Sequence, residues 1–206
     1  MPDRLTGRTL VIATGHDLSL ALLEGGRLLA QSHVAMLKGH AEALVPAIAD
    51  LLAPFGGPAF RCDHVVVETG PGSFTGLRVG LAAARALALA WGADLLGVRS
   101  TQLVAAAAPK EGRLLVLLEA PRGQIWAEGF DGPGRRSILP PVALSAAQAA
   151  ALLPGYDHAA GTAIALLPDS ASPIPPRAAA IEGLETGALG AAELLYVRAA
   201  EPAPAA

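Results

Sequence analysis

With 206 residues, 52% of them hydrophobic, the chain has ample material for a core; a net charge of -3 without a basic run or aromatic-rich platform argues against a free-standing nucleic-acid binder. Only 16% of residues are charged, against about 25% in an ordinary soluble domain, which favours a surface partly covered by a partner. Cys62 is the sole cysteine, which excludes an internal disulfide and a multi-cysteine metal site and reads as a buried thiol near a strand start.

In chain order, Thr9 to Ala13 is a short apolar strand, the Thr14–Asp17 stretch a turn, and Leu18 to Leu23 a second strand. Glu24-Gly-Gly-Arg27 makes the next turn and Leu28 to Val34 a third strand, an antiparallel meander because its connections are too short for parallel crossovers. From Gly39 to Ala53 the period becomes helical, with Ala41, Leu44, Val45, Ile48 and Leu52 on one side, and Pro54 with Gly56-Gly57-Pro58 ends it. Val65 to Val67 is a buried strand, Phe74 to Trp91 a long helix, Leu95 to Val98 a strand, and Ser100 caps a helix to about Ala108. The pattern then partly restarts. Leu114 to Glu119 and Gln124 to Phe130 are pairing strands, Gly132-Pro-Gly134 a turn, Ser145 to Leu153 a helix capped by Ser145, and Ala160 to Ala165 a buried strand. A proline-rich connector (170–176), a final helix from Ile181 to Leu195 and a frayed tail from Pro202 to Ala206 complete the reading. The expected division is a lobe of residues 1–109 and a smaller lobe of 110–206 carrying the C-terminal helix and tail.

The N-terminus lacks a basic segment followed by an apolar run, so no secretory signal is expected. Arg78, Arg85 and Asp94 interrupt the apolar stretch from Leu77 to Leu96, and Pro140, Pro141 and Pro154 interrupt the uncharged run 137–156. Neither suits a membrane span, and a cytoplasmic chain is expected.

The richest segment is Gly70-Pro71-Gly72-Ser73-Phe74-Thr75-Gly76-Leu77-Arg78-Val79-Gly80, which follows a buried strand and opens a helix. Gly70 and Gly72 permit a tight turn, and Ser73 or Thr75 can cap the first helical turn. It is no Walker A loop, since no lysine follows its last glycine, and Thr75 replaces the third glycine of GxGxxG. Ser73 also lacks the Gly-x-Ser-x-Gly spacing of a nucleophile elbow. Along the helix, Gly76, Gly80, Ala84 and Ala88 recur every four residues, a small-residue ridge expected to meet a helix of a partner or of a second copy; packing inside its own lobe is the alternative. Arg78 and Arg85 lie on the opposite side, where a partner's carboxylates could reach them. The five histidines lack metal-ligand spacing, so no metal site and no catalytic residue is expected. His16 and Asp17 could meet as an acid-base pair, but a solvated turn is the expected reading; His40 and Glu42 open a helix, where a capping or interface role is expected.

Gly70 to Gly80 with its alanine-rich helix, His40-Ala-Glu42 followed by Leu44 and Pro46, and Leu195-Tyr-Val-Arg198 together resemble the bacterial TsaB (YeaZ) family. The resemblance is strong through residue 109 and looser beyond. It implies an α/β, two-lobed actin/Hsp70/sugar-kinase-like (ASKHA) fold with ribonuclease H-like lobes. It also implies a non-catalytic subunit that pairs with a TsaD-like catalytic subunit and a TsaE-like ATPase, or with itself as a homodimer. Such a complex places threonylcarbamoyl on adenosine 37 of tRNAs reading ANN codons; tRNA would be met only through the complex, ATP would enter only within it, and no intrinsic cofactor or membrane contact is implied. Two positions depart from the family pattern. Ala13-Thr14-Gly15 stands where Asp-Thr-Ser is usual, and Glu119-Ala-Pro-Arg122 where Asp-Ala-Arg is usual. The alternatives are an ATP-dependent small-molecule kinase or phosphotransferase of the same fold superfamily, and a structural homodimer with no link to tRNA.

Overall fold

Two short turns fold the beginning of the chain back on itself in the computed structural model, which describes residues 5–166 and 173–197. β1 (Arg8–Ala13), β2 (Leu18–Glu24) and β3 (Arg27–Val34) form the expected antiparallel meander. α1 (His40–Leu52) leads to β4 (His64–Gly70), parallel to β1, and α2 (Phe74–Trp91) crosses to β5 (Asp94–Arg99), parallel to β4. The sheet order is β3-β2-β1-β4-β5. Alternation sorts its side chains between two faces. Leu10, Ile12, Val65 and Val67 pack under α1 and α2, while Val11 and Val66 face the opposite layer. Cys62 packs in the first of these clusters, and burial, reinforced by Asp63 and partly offset by Arg8, pushes its thiol up to about 12. It is an inert packing residue.

α3 (Ser100–Ala107) carries the chain to a second sheet, β6 (Arg113–Glu119), β7 (Gln124–Asp131), β8 (Arg136–Ser145) and β9 (His158–Ala160), with α4 (Ala146–Leu152) between the last two strands. Its order, β8-β7-β6-β9, repeats the β3-β2-β1-β4 arrangement, antiparallel meander and parallel fourth strand included. This is the two-lobed α/β architecture implied by the resemblance. Leu103 of α3 packs on Val11, Val66 and Val98, whereas Val104, Ala105 and Ala108 pack on Leu114, Val116, Leu118 and Phe130. A helix sandwiched between two sheets must be apolar on both sides, and from Leu103 to Ala105 this one is.

Four local expectations change. Ser100 is the first helical residue of α3; Arg99 is the cap, its N–H donating to the Gln102 side chain at 2.8 Å. β8 escaped the sequence reading because Pro140 and Pro141 cannot donate to a ladder, yet β8 is an edge strand and its prolines fall where the register with β7 is irregular. The strand expected over 160–165 ends at Ala160, and Thr162–Leu166 is a 3-10 turn. The helix expected from Ile181 to Leu195 is replaced by short 3-10 turns (Ala178–Gly183, Thr186–Ala188) and extended chain. Gly183, Gly187 and Gly190 each cost a helix about 1 kcal/mol relative to alanine. Instead of continuing the second lobe, residues 178–195 return to the first sheet. Ala178 and Ile181 pack beside Val11, Gly190 pairs with Gly97 through bonds of 2.8 and 3.0 Å, and the Leu195 N–H donates to the Thr69 carbonyl at 2.8 Å. Gly97 has to lack a side chain, since a Cβ there would collide with the Ala191 carbonyl. Arg198, the tail 202–206 and the first part of the proline-rich connector lie outside the described residues.

Candidate functional site

The end of β1 and the start of α2 are fitted to each other through glycines. A Cβ on Gly72 would lie 2.6 Å from the Gly15 carbonyl oxygen, and one on Gly76 or Gly80 would collide with Thr14. In the space so left, the Ser73 N–H donates to the Gly15 carbonyl at 2.6 Å and the Thr14 hydroxyl donates to the Gly76 carbonyl at 2.8 Å. Ser73 caps α2 as expected, its hydroxyl accepting from the Gly76 N–H at 3.3 Å. Gly70 adopts φ 107°, and the Gly70–Pro71 peptide is cis. The small-residue ridge is therefore used inside the lobe. Gly76 and Gly80 seat Thr14, while Ala84 and Ala88 are buried with Leu10 and Ile12. The expected interface role of these four residues is corrected accordingly: β1 and the turn after it, rather than a partner helix, occupy the ridge. Arg78 and Arg85 do stand exposed on the outer side, with Thr75 and Phe74 at the helix start. The Arg78 guanidinium lies 3.6 Å over the Phe74 ring and donates to the Tyr196 hydroxyl at 3.4 Å.

Directly beneath this junction lies a carboxylate that the sequence reading passed over. Glu68, at the end of β4, is 1% exposed, and its Oε2 accepts from the Gly15 N–H at 2.6 Å. His16 Nδ1 stands 3.8 Å from its Oε1, close enough for electrostatics and too far for a formed hydrogen bond. Burial alone would raise the Glu68 pKa, but His16, the neighbouring Ser100 hydroxyl and the Gly15 N–H outweigh it and hold the carboxyl below its ordinary 4.5. A glutamate directly after Val65-Val-Val67 and before Gly70 was the available signal. His16 and Asp17 do not act as a pair: Asp17 faces His33 at 3.5 Å and Arg177 at 3.7 Å. His40, at the start of α1, is buried with its Nε2 3.2 Å from the His16 carbonyl oxygen, and Glu42 is exposed in the same first turn.

Between the two sheets this junction opens into a cleft of about 360 Å³, with Gly15, His16 and Ser73 on one wall, Glu119 and Trp126 on the other, and Tyr196 at its edge. Ala13 is 2% exposed at the strand end where the family pattern places an aspartate. No three His, Cys, Asp or Glu side chains gather to hold a metal among the described residues. The lobes are also joined by Arg99, which donates to Glu128 through Nε at 3.0 Å and Nη2 at 2.7 Å, while the Thr101 hydroxyl donates to the same carboxylate. Glu128 is fully buried.

A family model described as TsaD: tRNA N6-adenosine threonylcarbamoyltransferase matches residues 34–151, more than half of the chain. The chain is 41% identical over 96 residues to an uncharacterized protein of Mycobacterium tuberculosis (strain ATCC 25618 / H37Rv), covering 46% of this chain and 44% of that protein. It is 30% identical over 126 residues to the tRNA threonylcarbamoyladenosine biosynthesis protein TsaB of Escherichia coli (strain K12), covering 59% of this chain and 54% of that protein. The matches thus span about half the length of these curated relatives. In three dimensions the chain is similar to YeaZ from Pseudomonas aeruginosa, with a TM-score of 0.76 at 22% identity over 94% of this chain and all of that one, a likeness of fold.

Proposed function

We propose, from the premise that this chain belongs to the TsaD (tRNA N6-adenosine threonylcarbamoyltransferase) family and resembles its TsaB (YeaZ) members, that it is a non-catalytic partner subunit in threonylcarbamoylation of tRNA. Its partners are a TsaD-like catalytic subunit and a TsaE-like ATPase, its RNA is reached through the complex, and ATP enters only there. The family match across residues 34–151 carries this reading, because it runs from α1 and α2 through β6, β7 and β8 into α4 and so takes in both lobes. The loss of the first-strand carboxylate at Ala13 supports a subunit without chemistry of its own and weakens the kinase alternative, which needs a carboxylate near the phosphates. The docking face we propose is the outer side of α1 and α2, where Val45 of α1 is 66% exposed and Leu89 of α2 is 86% exposed on the same helix as the exposed Arg78 and Arg85. A second copy of the chain would fit the same face.

Reconstitution tests the proposal. The purified chain alone should transfer no threonylcarbamoyl to tRNA, and should restore transfer when added to a TsaD-like and a TsaE-like subunit. Leu89→Glu should fold with unchanged thermal stability, fail to co-purify with the TsaD-like subunit and fail to restore transfer. Transfer by the chain alone, or full restoration by Leu89→Glu, would overturn the subunit role or the docking face respectively.

A further inference from the structure

The turn between β7 and β8 holds an arginine whose guanidinium makes no hydrogen bond or ion pair among the described residues. Arg135 closes the turn with its N–H donating to the Gly132 carbonyl at 3.2 Å, and it does so at φ 52°, in the left-handed region where a glycine or asparagine would be less strained. Its neighbour Gly134 could have taken that conformation; the position is occupied by an arginine instead. The residue is only 6% exposed, and Nε, Nη1 and Nη2 all lack a hydrogen-bond partner among the described residues. A buried guanidinium with five unsatisfied donors is among the most unfavourable groups a fold can carry.

Arg135 lines a polar pocket of about 400 Å³, together with Arg99, Gln102, Arg136, Ser137 and Glu185. Arg99 is held by Glu128 and Arg136 by Asp131 at 3.4 Å, so both add positive edges to the pocket without being free, and Arg135 is the uncommitted one. Glu185 is the competing anion. Its carboxylate lies against Gly134, 3.3 Å from where a Cβ would stand, and it makes no ion pair with Arg135.

We infer that this pocket is a phosphate-binding site, with Arg135 as the bidentate ligand and Arg136 at its mouth, for the phosphate of a small phosphomonoester or nucleotide or of an RNA backbone. Planar guanidinium and tetrahedral phosphate match through paired N–H···O bonds, and a pocket of this size admits a phosphate with an organic group attached. Burial lowers the Arg135 pKa from the ordinary arginine value, an unfavourable state that a bound anion relieves. The site lies at the β7–β8 turn and is independent of the proposed docking face on α1 and α2.

Thermal unfolding of the full chain in sodium phosphate, against sodium chloride at equal ionic strength, tests the site. Ligand that binds only the folded state raises Tm with concentration, so the wild type should gain a phosphate-specific rise. Arg135→Gln should unfold no earlier than the wild type without phosphate, because it deletes an unpaired charge, and its apparent phosphate affinity should fall at least tenfold. Glu185→Gln should bind phosphate several-fold more tightly. Adenosine monophosphate and an RNA stem-loop distinguish the sources: whichever produces the Arg135-dependent rise at the lower concentration supplies the phosphate. If the wild type shows no phosphate-specific rise with any of the three probes, the site is refuted. If instead both Arg135→Gln and Glu185→Gln lower Tm, the two residues pair with each other in solution and the inference falls.

Discussion

Glu68 shows how much one side chain can depend on a distant neighbour. Its carboxylate is buried at the end of β4, and its stability rests on the Gly15 N–H and on His16, which belong to the turn after β1. Because its folded pKa lies below the ordinary 4.5, the ionised group stabilises the fold above that pH, and the contribution is lost as pH falls through the lower folded value. Glu68→Gln should cost about 1–3 kcal/mol at pH 7 and remove this acid-range part of the stability profile. Denaturant titrations between pH 7 and pH 3 measure both. Parallel profiles for the two proteins would mean that Glu68 is not ionised in the fold. The glutamate was visible in the sequence as a charge ending an apolar strand, but nothing in local spacing placed a histidine over it.

At the scale of elements, α2 is the instructive case. Its boundaries, its Ser73 cap and its small-residue ridge follow directly from the sequence, and Gly92 at φ 65° ends it as a left-handed cap. What the ridge touches does not follow, because the same spacing suits a foreign helix and the chain's own strand end equally well. Thr14 fills the ridge, so Gly80→Leu should overpack the lobe and lower stability by at least about 1–3 kcal/mol, with or without a partner subunit. Chemical denaturation of the isolated chain checks this; an unchanged midpoint would return the ridge to the surface. β8 and the segment 178–195 went unread for a related reason. Prolines and glycines lower local propensity, and both segments are held by pairing with distant parts of the chain.

Over the whole molecule the layers run α1 and α2, first sheet, α3, second sheet, α4, with residues 178–184 sharing the layer of α3 against the first sheet. The lobes meet through the apolar sides of α3 and through the Arg99–Glu128 pair, whose carboxylate is fully buried. Arg99→Met would leave that carboxylate with only the Thr101 hydroxyl and should cost about 3–5 kcal/mol. Adding Glu128→Leu should recover much of the loss, because the stranded charge is removed along with its partner. A double-mutant cycle by denaturation measures the recovery; strictly additive losses would show that the pair does not couple the lobes. We propose that residues 9–109 with 178–197 behave as one lobe and 110–166 as the other.

The sequence by itself determined the elements that local chemistry specifies: the meander, set by connections too short to cross over; α1 and α2, set by apolar period and caps; β6, set by an unbroken apolar run, and β7, set by alternation. It also carried the family resemblance, since that resides in contiguous stretches such as Gly70 to Gly80. Only the tertiary structure decided what faces what. Thr14 in the ridge, His16 over Glu68, Arg99 on Glu128 and the uncommitted Arg135 each depend on a register or a turn geometry that brings together side chains, or strands them, far from where sequence spacing can see. Burial turns those placements into energy, and burial is a property of the packed layers rather than of any one segment.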